Sequence, residues 1–182
     1  METEIKLAVS GTAEAKRLLR AAGLRAIRRR VFEVNTLFDT AAANLRKTGQ
    51  VLRVRQCGRR VLLTYKGPPA RGSRHKSREE LETEAGDAQA IAAILSRLGF
   101  EPVFRYEKYR TEYTGKNGGV ATLDETPIGV FLELEGAPGW IDRTAARLGF
   151  TPADYITASY ARLYLEHRKR NPRSPKDMVF SS

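Results

Sequence analysis

The chain has 182 residues, a length that fits one folded domain or at most two small ones. Of these residues 41% are hydrophobic and 29% are charged, a composition that excludes a disordered protein. No apolar run approaches the roughly 20 residues of a membrane-spanning helix, and the single cysteine, Cys57, excludes an intrachain disulfide, so we expect a cytoplasmic protein with no membrane partner. The formal net charge of +11 predicts attraction to polyanions such as nucleic acid, anionic membranes or phosphorylated small molecules.

The first part of the chain shows alternating strand and helix patterns. Hydrophobic residues recur with period two in strands and at three- to four-residue intervals in helices, and glycines mark the ends of the elements. We predict, in order, a strand over 2–9, a helix over 11–24, a strand over 25–39, a short helix over 41–49 and a β-hairpin over 50–67 that turns at Cys57-Gly58.

The second part is dominated by strand patterns that lead into helix. We predict a strand over 76–84, a helix over 87–100, a long strand over 101–115, a tight turn at "KNGG", strands over 120–126 and 129–136, and a helical region over about 140–167. Antiparallel hairpins dominate this order, which favours an α+β fold built on a large sheet or closed barrel. We expect one domain over 1–166 and a basic, mobile tail over 167–182.

Charged side chains share one face of nearly every predicted strand. In "ETEIK", Glu2, Glu4 and Lys6 lie opposite Ile5 and Leu7. The same alternation places together Arg53 and Arg55; Lys66; Lys76, Arg78, Glu80 and Glu82; Lys108 and Arg110; and Glu133 and Glu135. A solvated face would explain any single strand. Because the faces are almost fully ionic and sorted by sign, they favour helices packed outside the sheet and charges pointing inward.

A densely charged interior needs a charged ligand or counter-ions, since unpaired buried charge is costly. Carboxylates two residues apart on a strand can converge on a hard divalent cation. Arginine and lysine clusters bind phosphate oxygens. Together these groups suggest a metal-bound polyphosphate.

An ordered series of motifs resembles the CYTH superfamily, also called the triphosphate tunnel metalloenzymes. The opening "ETEIK" resembles its ExExK signature, and "LRVR", "LTYKGP", "KSREELE", "EKYR", "LDETPIGVFLELEG" and "SYARLYLE" follow in order up to about residue 166. The resemblance implies an eight-stranded antiparallel closed β-barrel, a tunnel with helices outside, that binds triphosphate compounds with Mg²⁺ or Mn²⁺.

The resemblance also implies roles for individual residues. The implied metal ligands are Glu2, Glu4, Asp124, Glu133 and Glu135. The implied phosphate-binding residues are Lys6, Arg53, Arg55, Lys66 and Arg110, with Lys76, Arg78 and Lys108 placed on the same faces. The implied catalytic residues are Glu2, Glu4, Glu133 and Glu82, the last helping to set a second metal or the attacking group. Arg162 is a looser match to a basic residue near the end of the fold.

Three functions stay open at this point. The favoured one is hydrolysis of inorganic triphosphate, thiamine triphosphate or a nucleoside triphosphate by metal-activated water attacking the terminal phosphorus. The second is a class IV type adenylate cyclase, disfavoured because no adenine-reading group is visible in the sequence. The third is a non-catalytic polyphosphate or nucleic-acid binding protein, against which the paired carboxylates argue. We therefore expect a small triphosphate partner rather than nucleic acid, and either a monomer or a homodimer.

Overall fold

The computed structural model of the protein describes residues 1–70, 72–115 and 118–181. Nine strands form one antiparallel sheet: β1 (Glu2–Val9), β2 (Arg25–Thr40), β3 (Val51–Cys57), β4 (Arg60–Lys66), β5 (Lys76–Arg78), β6 (Glu80–Ala85), β7 (Phe100–Thr114), β8 (Val120–Thr126) and β9 (Gly129–Glu135). The helices are α1 (Thr12–Ala21), α2 (Asn44–Lys47), α3 (Ala88–Arg97), α4 (Pro138–Arg147) and α5 (Tyr160–Arg170), with a 3-10 turn at Pro152–Asp154. The α+β class predicted from the sequence is confirmed.

The sheet has the order β5-β1-β9-β8-β7-β2-β3-β4-β6, so its two edge strands are consecutive in the chain. Only Glu79 separates them: β5 pairs with β1, and β6 pairs with β4. The sheet therefore curls until its edges meet through the covalent chain. Within the described ranges no backbone hydrogen-bond ladder joins β5 to β6.

This arrangement corrects the predicted eight-stranded closed barrel. The run 76–85, predicted as a single strand, changes partner at Glu79 and becomes two short strands. The described part of the chain therefore has nine strands, and hydrogen bonds between these strands do not close the sheet. The backbone amide of Gly67 donates to the carbonyl of Glu79 at 3.0 Å, which holds the chain where the strand breaks.

The other predicted elements agree with the structure to within a few residues. The terminal helical region is divided into α4, the 3-10 turn and α5. The predicted turn "KNGG" lies partly outside the described residues; its described part, Gly118 and Gly119, has positive φ angles of 76° and 78°. A side chain at Gly119 would collide with the indole of Trp140, so glycine is required there. No helix in the described part of the chain is long and apolar enough to cross a membrane.

The hydrophobic core lies on the outer face of the curled sheet. Ile5 and Leu7 of β1 are fully buried beneath α1 and α4, where they pack with Leu19, Leu132 and Ile141. A second cluster under α3 is built on Phe38, Val54, Val61 and Leu95. Because the helices cover the outer face, the alternate side chains of the strands point into the interior of the sheet.

The C-terminal segment is docked on the sheet and does not form the mobile tail expected over 167–182. Helix α5 continues to Arg170, and the side chain of Met178 is fully buried in a cluster with Tyr106, Tyr160 and Tyr164. The backbone of Met178 bonds on both sides to β7, donating to Arg105 at 3.0 Å and accepting from Glu107 at 2.9 Å. The basic composition of this segment gave no sign that Met178 would be buried and would anchor it.

Candidate functional site

The curled sheet encloses a cavity of about 980 Å³. The predicted site residues line it, apart from Asp124, which lies behind the cavity wall. They come from β1, β3, β4, β5, β6, β7 and β9, because the alternation of each strand turns its charged face inward. The sequence-based interpretation of these faces as inward is therefore confirmed.

Strands β1 and β9, which both carry inward-facing glutamates, lie side by side at one wall of this cavity. The register of β1 with β9 sets Glu4 opposite Glu135 and Lys6 opposite Glu133. Lys6 is almost completely buried and lies 3.1 Å from Glu133 and 3.5 Å from Glu4. Burial raises the pKa of Glu4, but the charges of Lys6 and Lys76 outweigh it and hold that pKa well below its usual range.

Glu2 lies beside a second acid, Glu80. The Nζ of Lys66 is 2.8 Å from a Glu2 oxygen and 2.7 Å from a Glu80 oxygen, so one lysine bridges two carboxylates. Burial and a hydrogen bond shared with Glu80 raise the pKa of Glu2 to about 7. Burial acts in the same direction on Glu80, but that shared hydrogen bond and the charge of Lys66 lower its pKa to about 2. Near neutral pH Glu80 is therefore ionised, while Glu2 exchanges a proton.

Glu135 is the carboxylate at this wall with no ion pair among the described residues. Burial raises its pKa, and the nearby charges of Glu4, Glu80 and Glu133 add to that effect. A divalent cation would relieve this repulsion. The oxygen donors of Glu2, Glu4, Glu133 and Glu135 fit the chemistry of Mg²⁺ or Mn²⁺. In the described residues, however, no three acidic, histidine or cysteine side chains are grouped closely enough to hold a metal as they stand, because lysines draw Glu2, Glu4 and Glu133 into ion pairs.

Two arginines of β3, Arg53 and Arg55, form one part of the basic lining of the cavity. The Nη2 of Arg53 donates to Thr64 at 3.2 Å and lies 3.5 Å from Glu82. The Nε of Arg55 donates to the side-chain carbonyl of Asn35 at 3.2 Å. Burial lowers the pKa of Arg55, and the charge of Arg53 lowers it further. The N–H groups that these two arginines do not use in such contacts can donate to an anion in the cavity.

Asp124 is fully buried behind this basic group. Its oxygens accept from Lys108 at 2.8 Å, from two nitrogens of Arg110 at 2.6 and 2.7 Å, and from the hydroxyl of Tyr160 at 2.7 Å. Arg110 also pairs with Glu133. In this arrangement Asp124 positions two cations, and the metal-binding role predicted for it stays a prediction.

The sequence reasoning did not assign Glu33 and Asn35 to the site. Glu33 is 2% exposed and lies 3.7 Å from Lys108 and 3.8 Å from Arg55. Burial raises its pKa, but the charges of Lys108 and the nearby arginines dominate and lower it to about 2. The alternation in "FEVNTLF" was an available signal, because it places Glu33 and Asn35 on one face. Arg162, the loose match, lines the mouth of the cavity and pairs with Glu166 at 3.3 Å.

The formal charges of the enclosed part of the cavity and of the wall directly behind it, which together we call the ionic half, balance in number. Eight are basic: Lys6, Arg53, Arg55, Lys66, Lys76, Arg78, Lys108 and Arg110. Eight are acidic: Glu2, Glu4, Glu80, Glu82, Glu133 and Glu135 line the cavity, and Glu33 and Asp124 lie behind its wall, where they pair with lining cations. An anion would therefore enter a site whose cations are already paired.

Comparisons with known proteins agree with this architecture. A family model described as the CYTH domain matches residues 1–179. A candidate adenylate cyclase of Methanocaldococcus jannaschii is 30% identical over 135 residues, which cover 74% of this chain and 76% of that protein.

Solved structures share the fold. A protein of Pyrococcus horikoshii OT3 is 28% identical with a TM-score of 0.77, over 92% of this chain and 100% of that one. A candidate adenylyl cyclase from Hippeastrum, described as having a dominant triphosphatase activity, is 20% identical with a TM-score of 0.68, over 96% of this chain and 98% of that one. The ionic cavity inside a curled antiparallel sheet and the match along nearly the whole sequence lead to one conclusion: this chain belongs to the CYTH domain family.

Proposed function

We propose that this protein is a divalent-metal-dependent triphosphatase, in which water attacks the terminal phosphorus of a triphosphate inside the cavity. The observation that carries this proposal is the balance of eight cations and eight carboxylates in the ionic half. A triphosphate brings several negative charges, which this neutral site does not offset by itself. Divalent cations entering with the triphosphate would restore the balance.

The carboxylates of β1 and β9 are the proposed metal ligands: Glu2, Glu4, Glu133 and Glu135. When bound, Mg²⁺ or Mn²⁺ would screen the phosphate charge and lower the pKa of a bound water. The carboxylates themselves fix the position of that charge within one wall of the cavity, because β1 and β9 are paired in register.

The basic residues are proposed to hold the phosphate oxygens. Arg53 and Arg55 share the inward face of β3, and Lys108 and Arg110 share that of β7. Lys66, Lys76 and Arg78 reach the cavity from β4 and β5. Because these groups lie on different strands, they can grip a triphosphate chain from several sides and align its terminal bond.

Glu82 is proposed as the group that accepts a proton from the attacking water. Its carboxylate lines the cavity, accepts from Thr64 at 2.8 Å, and keeps 34% of its side chain exposed. It therefore lies within reach of solvent while its orientation is fixed by a hydrogen bond.

Product analysis tests the proposal. The purified protein is incubated with Mg²⁺ or Mn²⁺ and separately with inorganic triphosphate, thiamine triphosphate and ATP, and the products are resolved by phosphorus NMR. We expect orthophosphate to be released from at least one of them and the release to stop in EDTA. Absence of turnover with all three would contradict the proposal and favour a non-catalytic binding role.

Adenylate cyclase activity is the second candidate, because the relative that is 30% identical is named as a candidate adenylate cyclase. In that reaction the ribose 3′ oxygen attacks the α-phosphorus and pyrophosphate leaves. The same NMR experiment separates the two: pyrophosphate with cyclic AMP would support the cyclase, and orthophosphate with ADP the triphosphatase.

A further inference from the structure

One edge of β1 is completed by two short segments that lie far apart in the chain. Strand β5 covers the first part of this edge and sets Lys76 opposite Glu4. The backbone of Ile156 covers the next part, where it donates to and accepts from Lys6 at 2.9 and 2.8 Å. Because Lys76 and Lys6 both line the cavity, the fit of these segments against β1 affects the position of two inward-facing cations.

Strand β5 has few backbone contacts of its own. It has three residues, pairs with β1 on one side, and within the described ranges forms no ladder with β6. Segments of this kind open more readily than the centre of a sheet. The carbonyl of Ser77 accepts one further bond from the amide of Ala70 at 2.7 Å, and the amide of Gly67 holds Glu79 where the chain leaves β5. The chain enters β5 through His75, so the contacts of His75 decide how that end is held.

His75 belongs to a hydrogen-bonded cluster outside the cavity lining, and its side chain is buried. Its Nε2 lies 2.8 Å from Oδ1 of Asp142 and carries the donated hydrogen, since a carboxylate only accepts. The hydroxyl of Tyr155 donates to the same oxygen at 3.0 Å, and Arg74 donates to the other oxygen at 2.5 Å. Burial acts to raise the pKa of Asp142, but these hydrogen bonds outweigh it and lower that pKa, so the acceptor is ionised at neutral pH.

Asp142 connects both edge segments to helix α4. His75 and Tyr155 are each followed directly in the chain by a residue that pairs with β1. Asp142 itself follows Ile141, which is fully buried in the core cluster on the outer face of β1. The carboxylate of Asp142 is therefore fixed relative to β1. Without the hydrogen bond from His75, the start of β5 would lose its link to that fixed point.

The placement of β5 matters because Lys76 lies 2.7 Å from Oε1 of Glu4 inside the cavity. A contact of this length, whether to a carboxylate or to a phosphate oxygen, is lost if the strand moves by about 1 Å. We propose that His75 is a positioning residue, whose hydrogen bond to Asp142 holds Lys76 in place to bind phosphate. This inference rests on the proposed function for the role of Lys76. His75 lies outside the cavity lining and acts through Lys76.

Hydrogen–deuterium exchange tests the positioning without any turnover. His75→Phe keeps an aromatic ring beside Tyr155 but removes the donor, whereas His75→Gln keeps an N–H donor at a similar reach. Exchange is measured by mass spectrometry on peptides that contain β5 and on peptides that contain β8. We expect β5 to exchange at least about five-fold faster in His75→Phe and at the wild-type rate in His75→Gln, with β8 unchanged in both.

Two further variants complete this measurement. Asp142→Ala removes the acceptor from α4 and should accelerate β5 in the same way, so the result does not depend on how well His75→Phe folds. His167→Phe is the matched control, because the ring of His167 lies 5.8 Å from that of Tyr164 but on α5, which packs on β7. It should leave β5 unchanged. Wild-type exchange of β5 in both His75→Phe and Asp142→Ala would overturn the inference, and so would equal acceleration of β8, which would indicate a general loss of stability.

Steady-state kinetics with inorganic triphosphate and with ATP test the consequence for binding. His75→Phe should raise KM by about five-fold while kcat stays within about two-fold, and His75→Gln should restore KM. In a Lys76→Met background, His75→Phe should have no further effect on KM, because the residue it positions is absent. Additive effects of the two substitutions would overturn the inference. Faster exchange of β5 together with no turnover by the wild type would contradict the proposed function and support the placement of Lys76 by His75.

Discussion

The Nζ of Lys76 lies 2.7 Å from Oε1 of Glu4, because the register of β1 with β5 sets these two residues opposite each other. Burial lowers the pKa of Lys76 to about 8, and the charges of Lys6 and Arg78 also act in that direction. A carboxylate proposed to bind metal is therefore neutralised by a lysine proposed to bind phosphate. Metal binding and phosphate binding, the two functions proposed for the cavity, are therefore coupled through this ion pair.

Substitution Glu4→Gln should lower kcat by about a hundred-fold or more, because several kcal/mol of transition-state stabilisation depend on the cation that Glu4 would help to hold. The fold should survive, since Lys6 keeps Glu133 as a partner. Steady-state kinetics and circular dichroism check both expectations. Glu84→Gln is the control, because Glu84 is an exposed glutamate that pairs with Arg60. Equal activity of the two variants would contradict the assignment of Glu4 to the catalytic site.

Substitution Arg55→Ala should raise KM for the triphosphate by about ten-fold or more, because a charge-assisted hydrogen bond contributes about 1.5–3 kcal/mol. Initial-rate kinetics over a range of substrate concentrations measure this change. Arg60→Ala removes an exposed arginine from the neighbouring strand and should leave KM unchanged. The same KM in both variants would mean that Arg55 does not contact phosphate.

Substitution Glu135→Gln should weaken Mn²⁺ binding by at least about ten-fold without lowering stability. The raised pKa of Glu135 means that its ionised form is disfavoured in the folded protein, so a neutral amide relieves repulsion. Calorimetric titration with Mn²⁺ and thermal unfolding in EDTA test the two parts. Unchanged Mn²⁺ affinity would contradict the assignment of Glu135 as a ligand.

Glu33 should stabilise the fold in a pH-dependent way. Its pKa is lowered from its usual 4.5 to about 2, so its contribution is fully present above pH 4.5 and is lost as the pH falls from 4.5 towards 2. Glu33→Gln should therefore lower the free energy of unfolding by about 3 kcal/mol at neutral pH, and the difference from the wild type should shrink in acid. Urea unfolding from pH 7 to pH 2.5 measures it; a difference independent of pH would contradict the assigned pKa.

Met178→Ala should destabilise the protein by about 2–5 kcal/mol, the usual cost of truncating a buried methionine. Met178 is fully buried against the aromatic cluster of β7 and α5, which also forms one side of the cavity mouth. Arg173→Ala, an exposed position in the same segment, should have no effect on stability. Thermal unfolding of both variants tests the docking; equal melting temperatures would mean that the segment contributes little.

The inward orientation of the charged faces could be predicted because it depends on a local property. Side chains alternate along a strand whatever its partner, so Arg53 and Arg55 had to share a face, and apolar neighbours such as Val54 had to face the helices. The break at Glu79 could not be predicted in this way. In the run "KSREELETE" every second residue from Lys76 to Glu84 is charged, and Glu79 alone departs from the alternation. One such residue does not reveal that the partner strand changes there from β1 to β4.

Features that depend on contacts between distant segments were also missed. Residues 167–182 are mostly basic and include two prolines, which disfavour regular structure. Met178 is nevertheless buried, because it packs on aromatic residues more than ten positions away in the chain. The ion pair between Lys66 and Glu2 likewise joins strands that are 64 residues apart. Such pairings set which carboxylates are neutralised, and they follow from sheet register, which a single sequence does not specify.

The numerical balance of charge in the ionic half has a practical consequence for the rest of the molecule. Among the described residues outside the ionic half, basic side chains still outnumber acidic ones, so this positive surplus lies on the outer surface and around the mouth. Long polyanions should adhere to this exterior, and their retention should fall steeply as salt is added. The charges around a triphosphate enclosed by the sheet are screened by salt much less than those on the surface. As the ionic strength rises, nucleic acid bound to the exterior should therefore dissociate before the affinity of the cavity for the triphosphate falls.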